Sequence, residues 1–203
     1  MTADPVFSSA ATFFTTLVGE IPPGSWEGPG LGDWDLQALV GHTSRSLITV
    51  SSYLQTTAEH ADIDTPQEYY ARIRDASWIA EPGEVIARGR QAGRDLGDDP
   101  AARVGALAQQ ALADVAAVDD PLITVIGGLG IRLHTYLPTR VFELAVHGLD
   151  IAHAAGLELS PPSPVLEAAT SLAAQIAVTL GDGPAVLAAL TGRGALTPSF
   201  SVV

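Results

Sequence analysis

The chain contains no cysteine. That excludes disulfides, a thiolate nucleophile of its own and every zinc–thiolate site, and leaves histidine and carboxylate as its strong metal ligands. Any thiol chemistry must borrow its thiol from outside. Charge is scarce as well: only 16% of the 203 residues are charged, and the balance is one-sided, with 10 basic against 23 acidic side chains and a formal net charge of −13. A surface of that sign repels phosphate backbones and anionic membranes, so nucleic acid and membranes are not expected as partners. The start, MTADPVFSSAATFF, lacks the basic region and long apolar run of a secretory signal. The apolar-rich stretch VLEAATSLAAQIAVTL, from Val165, is shorter than the roughly 20 residues a bilayer span needs, and it holds Glu167 and Gln175. The expectation is a soluble, cytoplasmic protein. There is no convincing internal repeat and no heptad seam, although the apolar composition leaves room for a homodimer through a helical face.

What the chain does have is apolar and alanine-rich. Hydrophobic residues make up 47% of it, which favours one ordinary-sized, mostly helical domain with a substantial core. Val6, Ala10, Phe13, Phe14 and Leu17 recur at helical spacing and predict a helix over 5–18. GEIPPGSWEGPGLGD then forbids regular structure, and Asp33 stands where an N-cap is expected, with Asp35 in the first turn. The stripe of Leu36, Leu39, Val40, Thr43, Leu47, Val50 and Leu54 carries a second helix to about residue 60, with His42 on its shoulder above Ser46 and Thr49. A looser region over 62–78 holds a short helical piece, PQEYYARIRD. Two further segments, 82–96 and 100–118, are separated by GDDP and read as two helices or one kinked helix. β-Branched residues around GGLG predict a short β-hairpin or an extended crossover before the last bundle helix. That helix is expected from Leu137 or Pro138 to a stop at Gly156. Helices over 164–180 and 185–190 follow. The pattern is that of an all-α protein: an antiparallel four-helix bundle with long connections and a C-terminal helical extension.

Chemistry concentrates in FELAVHGLD. At 100° per residue, Arg140, Glu143, His147 and Asp150 form one stripe within about 80°, beside an apolar face of Val141, Leu144, Ala145, Gly148 and Ile151. Glu143 and His147, four residues apart, are placed to reach one divalent ion, and His42 on a facing helix is the best candidate for a third ligand. Two histidines and a glutamate form a set used for catalytic zinc, with the fourth position open. Asp150 is placed to accept a hydrogen bond from His147 from behind. The spacing alone is met more often on a solvated face or as an intrahelical pair, and Arg140, one turn from Glu143, competes for the carboxylate. His60, His134 and His153 have no partner spacing and receive no role.

The pieces LGDWDLQALVGHTSRSL, TRVFELAVHGLDIAHAAG and ALTGRGALTPSFSVV resemble the mycothiol-dependent maleylpyruvate isomerase-like family of actinobacteria, part of the DinB-like metal-binding helical bundles. The resemblance runs from about Pro5 to the last residue, and Glu143-x-x-x-His147-Gly148-x-Asp150 is its most specific element. It implies a DinB-like bundle over 1–156 and a helical extension over 157–203 packed on it as one structural unit. It also implies a divalent ion, zinc before nickel, on His42, Glu143 and His147; the helix stripe adds Asp150 and Arg140 behind them. The cosubstrate it implies is a small-molecule thiol, mycothiol, acting on an electrophilic substrate in a transferase or isomerase reaction. No residue is assigned a catalytic role beyond the ion. A metal-dependent hydrolase and a non-catalytic metal-binding bundle are the competing readings; thiol dependence separates the first, and absence of turnover the second.

Overall fold

Aspartate followed by proline starts two of the helices. Asp4 accepts hydrogen bonds from the Val6 and Phe7 amides at 2.9 and 2.8 Å, with Pro5 in the first turn of α1 (Pro5–Gly19). Asp99 does the same for Ala102, ahead of Pro100, in α5 (Pro100–Ala116). Each cap satisfies amides that a helix start otherwise leaves without a partner. The computed structural model describes residues 4–74 and 82–203. Among them the remaining helices are α2 (Leu36–Tyr53), α3 (Pro66–Arg74), α4 (Pro82–Arg94), α6 (Leu133–Ala155), α7 (Ser163–Thr179) and α8 (Gly183–Leu190). The end of the looser stretch, from Asp75 to Trp78, lies outside the described residues.

The cap of α2 is Asp35, not Asp33: the Asp35 carboxylate accepts from the Ala38 amide at 2.7 Å. A bridge between Pro29 and Asp35 holds the chain extended up to that residue, so the helix starts two residues later than the acidic pattern suggests. Asp35→Ala is expected to cost about 1 kcal/mol, or roughly 2–4 °C of melting temperature for a chain of this size, with Asp33→Ala close to neutral. Thermal unfolding of the two variants side by side checks the assignment. At its other end α2 stops at Tyr53 rather than near residue 60. The Thr56 hydroxyl there engages the Thr124 backbone, tying the chain to the hairpin.

The bundle is a ring in which α1 contacts α5 and α6, and α2 contacts the same two helices. Phe7, Phe14, Leu17, Leu39, Leu47, Tyr136 and Leu144 are fully buried in the common core. Tyr136 near the start of α6 meets Thr49 late in α2, whereas His147 further along α6 meets His42 earlier in α2, so these two helices run antiparallel. The 82–96 and 100–118 segments are two separate helices. Only α5 enters the ring; α4 lies outside, against α2.

That outer contact is made backbone to backbone. A Cβ on Gly41 of α2 would stand 2.1 Å from the Gly93 amide nitrogen, and one on Gly93 of α4 would stand 2.7 Å from the Gln37 carbonyl oxygen.

The expected hairpin is present: β1 (Leu122–Thr124) pairs antiparallel with β2 (Gly130–Arg132), Ile123 opposite Ile131, and Ile63 adds a bridge to Ile131. Directly after it α6 begins at Leu133, a full turn before the expected start, and carries Pro138 inside it. Burial of Leu133, Tyr136 and Leu137 outweighs the hydrogen bond the proline forfeits, and Asp120 reaches in from the loop to accept from the His134 amide at 2.9 Å. Gly156, in the left-handed conformation at φ 67°, ends the helix as expected, and Leu157 closes the cap on the Ala152 carbonyl. Beyond it α7 packs on α6, α3 and α1, and α8 rests on α7. No helix of the described residues is long and apolar enough to cross a membrane.

Candidate metal site

Glu143 and His147 sit one turn apart on α6, and antiparallel packing with α2 brings His42 to them from the facing helix. One ligand atom from each of the three lies within 4.8 Å of the others. His147 Nε2 is 3.4 Å from Glu143 Oε2, close to the roughly 3.4 Å edge of a tetrahedron of ligands about 2.1 Å from a zinc ion. The His42 and His147 rings stand edge to face, with centroids 5.1 Å apart. Two imidazoles with a carboxylate form a donor set suited to zinc. The residues therefore fit a divalent ion.

The neighbours fix each of the three. Asp150 Oδ2 is 3.1 Å from His147 Nδ1, which directs Nε2 toward Glu143. The Tyr70 hydroxyl from α3 lies 2.9 Å from Glu143 Oε1 and 3.0 Å from the Thr139 carbonyl, placing its single proton between two acceptors. Trp34 stacks on His42 at 4.5 Å between centroids, and its indole N–H donates to the Ile86 carbonyl of α4. Gly148 admits Phe13: a Cβ there would lie 2.5 Å from the phenylalanine ring. The glycine beside His147 therefore serves the α1–α6 contact.

The electrostatics separate the two histidines. Burial, and then the positive charge of His147, pulls His42 down to about 4, so it is neutral at pH 7. Burial acts in the same direction on His147, but hydrogen bonds to Asp150 and Glu143 and their charges override it and hold the metal-free imidazole at about 9. For Glu143, burial alone would raise the carboxyl. The hydrogen bond to His147, the charge of Arg140 and the Tyr70 hydroxyl outweigh it and bring the group to about 2. Burial, followed by the Glu143 charge, pushes Tyr70 well above the usual phenol range, so its hydroxyl remains a donor.

Arg140 does not pair with Glu143. Among the described residues no carboxylate lies within 4 Å of its guanidinium. The group is 8% exposed, donates from Nε to Thr139 Oγ1 at 3.0 Å, makes a long 3.5 Å contact with the Tyr69 hydroxyl, and lies over the Tyr136 ring at 4.7 Å. The three histidines without partner spacing lie apart from the triad: His60 beside Asp62, His134 beside Asp120, and His153 exposed near the end of α6. Sequence reasoning missed Tyr70, Tyr69 and Tyr136. The available signal was the YY pair in an otherwise polar helix, because neighbouring residues on a helix do not share a face and two buried ones require cover from more than one element.

His42 and Glu143 open on a cavity of about 540 Å³ walled by α2, α3, α4 and α6. All four tyrosines of the chain, 53, 69, 70 and 136, line it. Two of the three candidate ligands thus face a cavity, an opening of the kind a catalytic metal site keeps. A family model described as the mycothiol maleylpyruvate isomerase N-terminal domain matches residues 7–152, a span that contains His42, Glu143, His147 and Asp150. No curated protein and no solved structure gives a significant match.

Proposed function

Since this chain belongs to the mycothiol maleylpyruvate isomerase N-terminal domain family, we propose that it is a divalent-metal protein, zinc first, that uses mycothiol in a transferase or isomerase reaction on an electrophilic small molecule. The observation that carries the reading is the opening of His42 and Glu143 onto the cavity, which leaves room for a cosubstrate beside the ligand set. A divalent ion there supplies Lewis acidity, which favours thiolate over thiol at neutral pH. The chain has no cysteine to offer, so the thiol enters through the cavity.

The protein's own residues provide the rest. His42 is neutral and ready to donate a lone pair, Glu143 is ionised and steadied by Tyr70, and Asp150 holds His147 with Nε2 turned inward. The tyrosines that line the cavity, and Trp34 against His42, shield the ligand set from bulk water on one side, which strengthens every charge interaction inside.

Protein purified without chelator is expected to contain about one equivalent of divalent metal, and the His147→Ala variant less than about a tenth of that. Elemental analysis of both checks it; equal contents sink the site. Cobalt-substituted protein is then expected to gain a thiolate-to-metal charge-transfer band on addition of mycothiol. If metal is present and that band never appears, the thiol reading fails and the metal site survives.

A further inference from the structure

We propose that Arg140 anchors a carboxylate group of the electrophilic substrate, so that the cavity selects anionic acceptors over neutral ones. The guanidinium is buried on α6, and its partners among the described residues are neutral: the Thr139 hydroxyl, the Tyr69 hydroxyl and the face of Tyr136. Among the described residues no carboxylate pairs with it within 4 Å, the Glu143 charge acts on it only from a greater distance, and arginine does not escape the cost of burial by losing its proton. Its Nη1 makes no hydrogen bond to a described residue. Arg140 lines the cavity, and a guanidinium at its wall offers a planar edge matched to a carboxylate.

The wider charge pattern agrees. The chain holds ten basic residues against 23 acidic ones, yet Arg45, Arg74, Arg88 and Arg140 all line this one cavity, each from a different helix. Arg74 and Arg88 are exposed and Arg45 is half-buried, so these three draw an anion to the mouth while Arg140 holds it at the wall. Such focusing of one sign in a cleft of an otherwise oppositely charged protein raises the local concentration of matching ligand.

Arg140 and Glu143 are three residues apart on α6, a rise of about 4.5 Å. Arg140 lines the same cavity as Glu143 and His42, so a carboxylate held on it leaves the rest of the acceptor in the space where the chemistry proposed above takes place. Binding at Arg140 needs no ion; only its use in the reaction rests on that reading.

The test is calorimetric titration of chelator-treated protein with benzoate and with benzamide, its neutral isostere, repeated on three variants. Benzoate is expected to bind and benzamide to bind at least tenfold more weakly. Arg140→Gln should weaken benzoate about 30-fold or more and Arg140→Lys about tenfold, because lysine keeps the charge and loses the planar fork. Arg72→Gln removes one exposed charge outside the cavity and should leave the affinity within about twofold. If the glutamine variant does not fold, as judged by circular dichroism, the lysine variant carries the comparison. Equal benzoate affinity in wild type and Arg140→Lys, or equal affinity for benzoate and benzamide, overturns the proposal. An Arg140-dependent benzoate site in a protein that takes up no zinc supports the anchor and sinks the metal reading alone.

Discussion

Gly41→Ala is expected to destabilise the protein by about 3 kcal/mol, whereas the same change at Gly105 is expected to stabilise it by up to about 1 kcal/mol. Both glycines lie inside helices, and alanine is favoured over glycine by roughly 1 kcal/mol at such a position. Space decides the sign. At Gly105 of α5 the nearest atom to an added Cβ is the Thr15 methyl at 3.9 Å, an ordinary contact. At Gly41 the Cβ would stand 2.1 Å from the Gly93 nitrogen and 2.5 Å from the Ala92 carbonyl carbon. These are backbone atoms, which have no rotamer to turn away, so α4 must move bodily by an ångström or more. The helix then loses the Gln37 hydrogen bond to the Gly93 carbonyl and the seat of the Trp34 ring on Gly89. Thermal unfolding is expected to place Gly41→Ala roughly 6–12 °C below wild type and Gly105→Ala about 2–4 °C above it. A neutral or stabilising Gly41→Ala would mean that α4 does not pack on α2 in this way. The damage also reaches the site, because Trp34 stacks on His42 and Val85 and Arg88 of α4 line the cavity.

Such contacts mark the boundary of what the sequence reveals. Glu143, His147 and Asp150 were legible because their relation is local: four and three residues on one helix place them together whatever the rest of the chain does. His42 was legible as a candidate because its own stripe put it on the edge of the buried face, and the antiparallel packing of α2 on α6 then set it against His147. The hairpin and the Gly156 stop were legible for the same reason, each depending on a few neighbouring residues with a fixed conformational need.

The parts that stayed hidden depend on which elements meet. Tyr70 reaches Glu143 from a nine-residue helix of low hydrophobicity, whose buried tyrosines are covered by α6 and α7 and leave no apolar stripe to read. Arg140 falls on the polar side of the α6 wheel, and Tyr69, arriving from α3, joins Tyr136 in covering it. The start of α6 was misplaced because Pro138 signals a helix start by its local chemistry. The core contacts of Leu133 and Tyr136, which override that signal, come from other helices. Within 33–35, two aspartates compete for one cap, and the bridge that favours Asp35 involves Pro29 in the preceding loop.

Zinc affinity is expected to rise about tenfold per pH unit from pH 5 to about pH 9 and then level off, a change of about a hundredfold between pH 6.5 and 8.5. Of the three candidate ligands only one has a proton to lose in that range. Glu143 at about 2 is already ionised and His42 at about 4 is already neutral, while His147 at about 9 must give up the Nε2 proton that faces Glu143. One proton released per ion bound gives a slope of one. Chelator-competition titrations across the range measure it: a slope near zero would mean His147 is not a ligand, and a slope near two would mean His42 is also protonated.

The stability of the metal-free protein is expected to follow from the same three groups, each with its own sign. His147 is raised from 6.5 to about 9, so its contribution is complete below pH 6.5 and is lost as pH rises toward 9; linkage puts the loss at about 3 kcal/mol. Glu143 is lowered from 4.5 to about 2, so its contribution holds above pH 4.5 and is lost as pH falls toward 2. His42 is lowered from 6.5 to about 4, so the folded state resists its protonation and loses stability as pH falls through that window. Metal-free protein is therefore most stable near pH 6.5. With zinc saturating, the alkaline decline disappears, because tighter binding offsets the lost proton unit for unit. Asp150→Asn lowers the proton affinity of His147 together with its strength as a ligand, so the variant should bind zinc about 10–100-fold more weakly at pH 9 and approach wild type at pH 5. Parallel curves for the two proteins would mean that Asp150 does not act through the His147 ring.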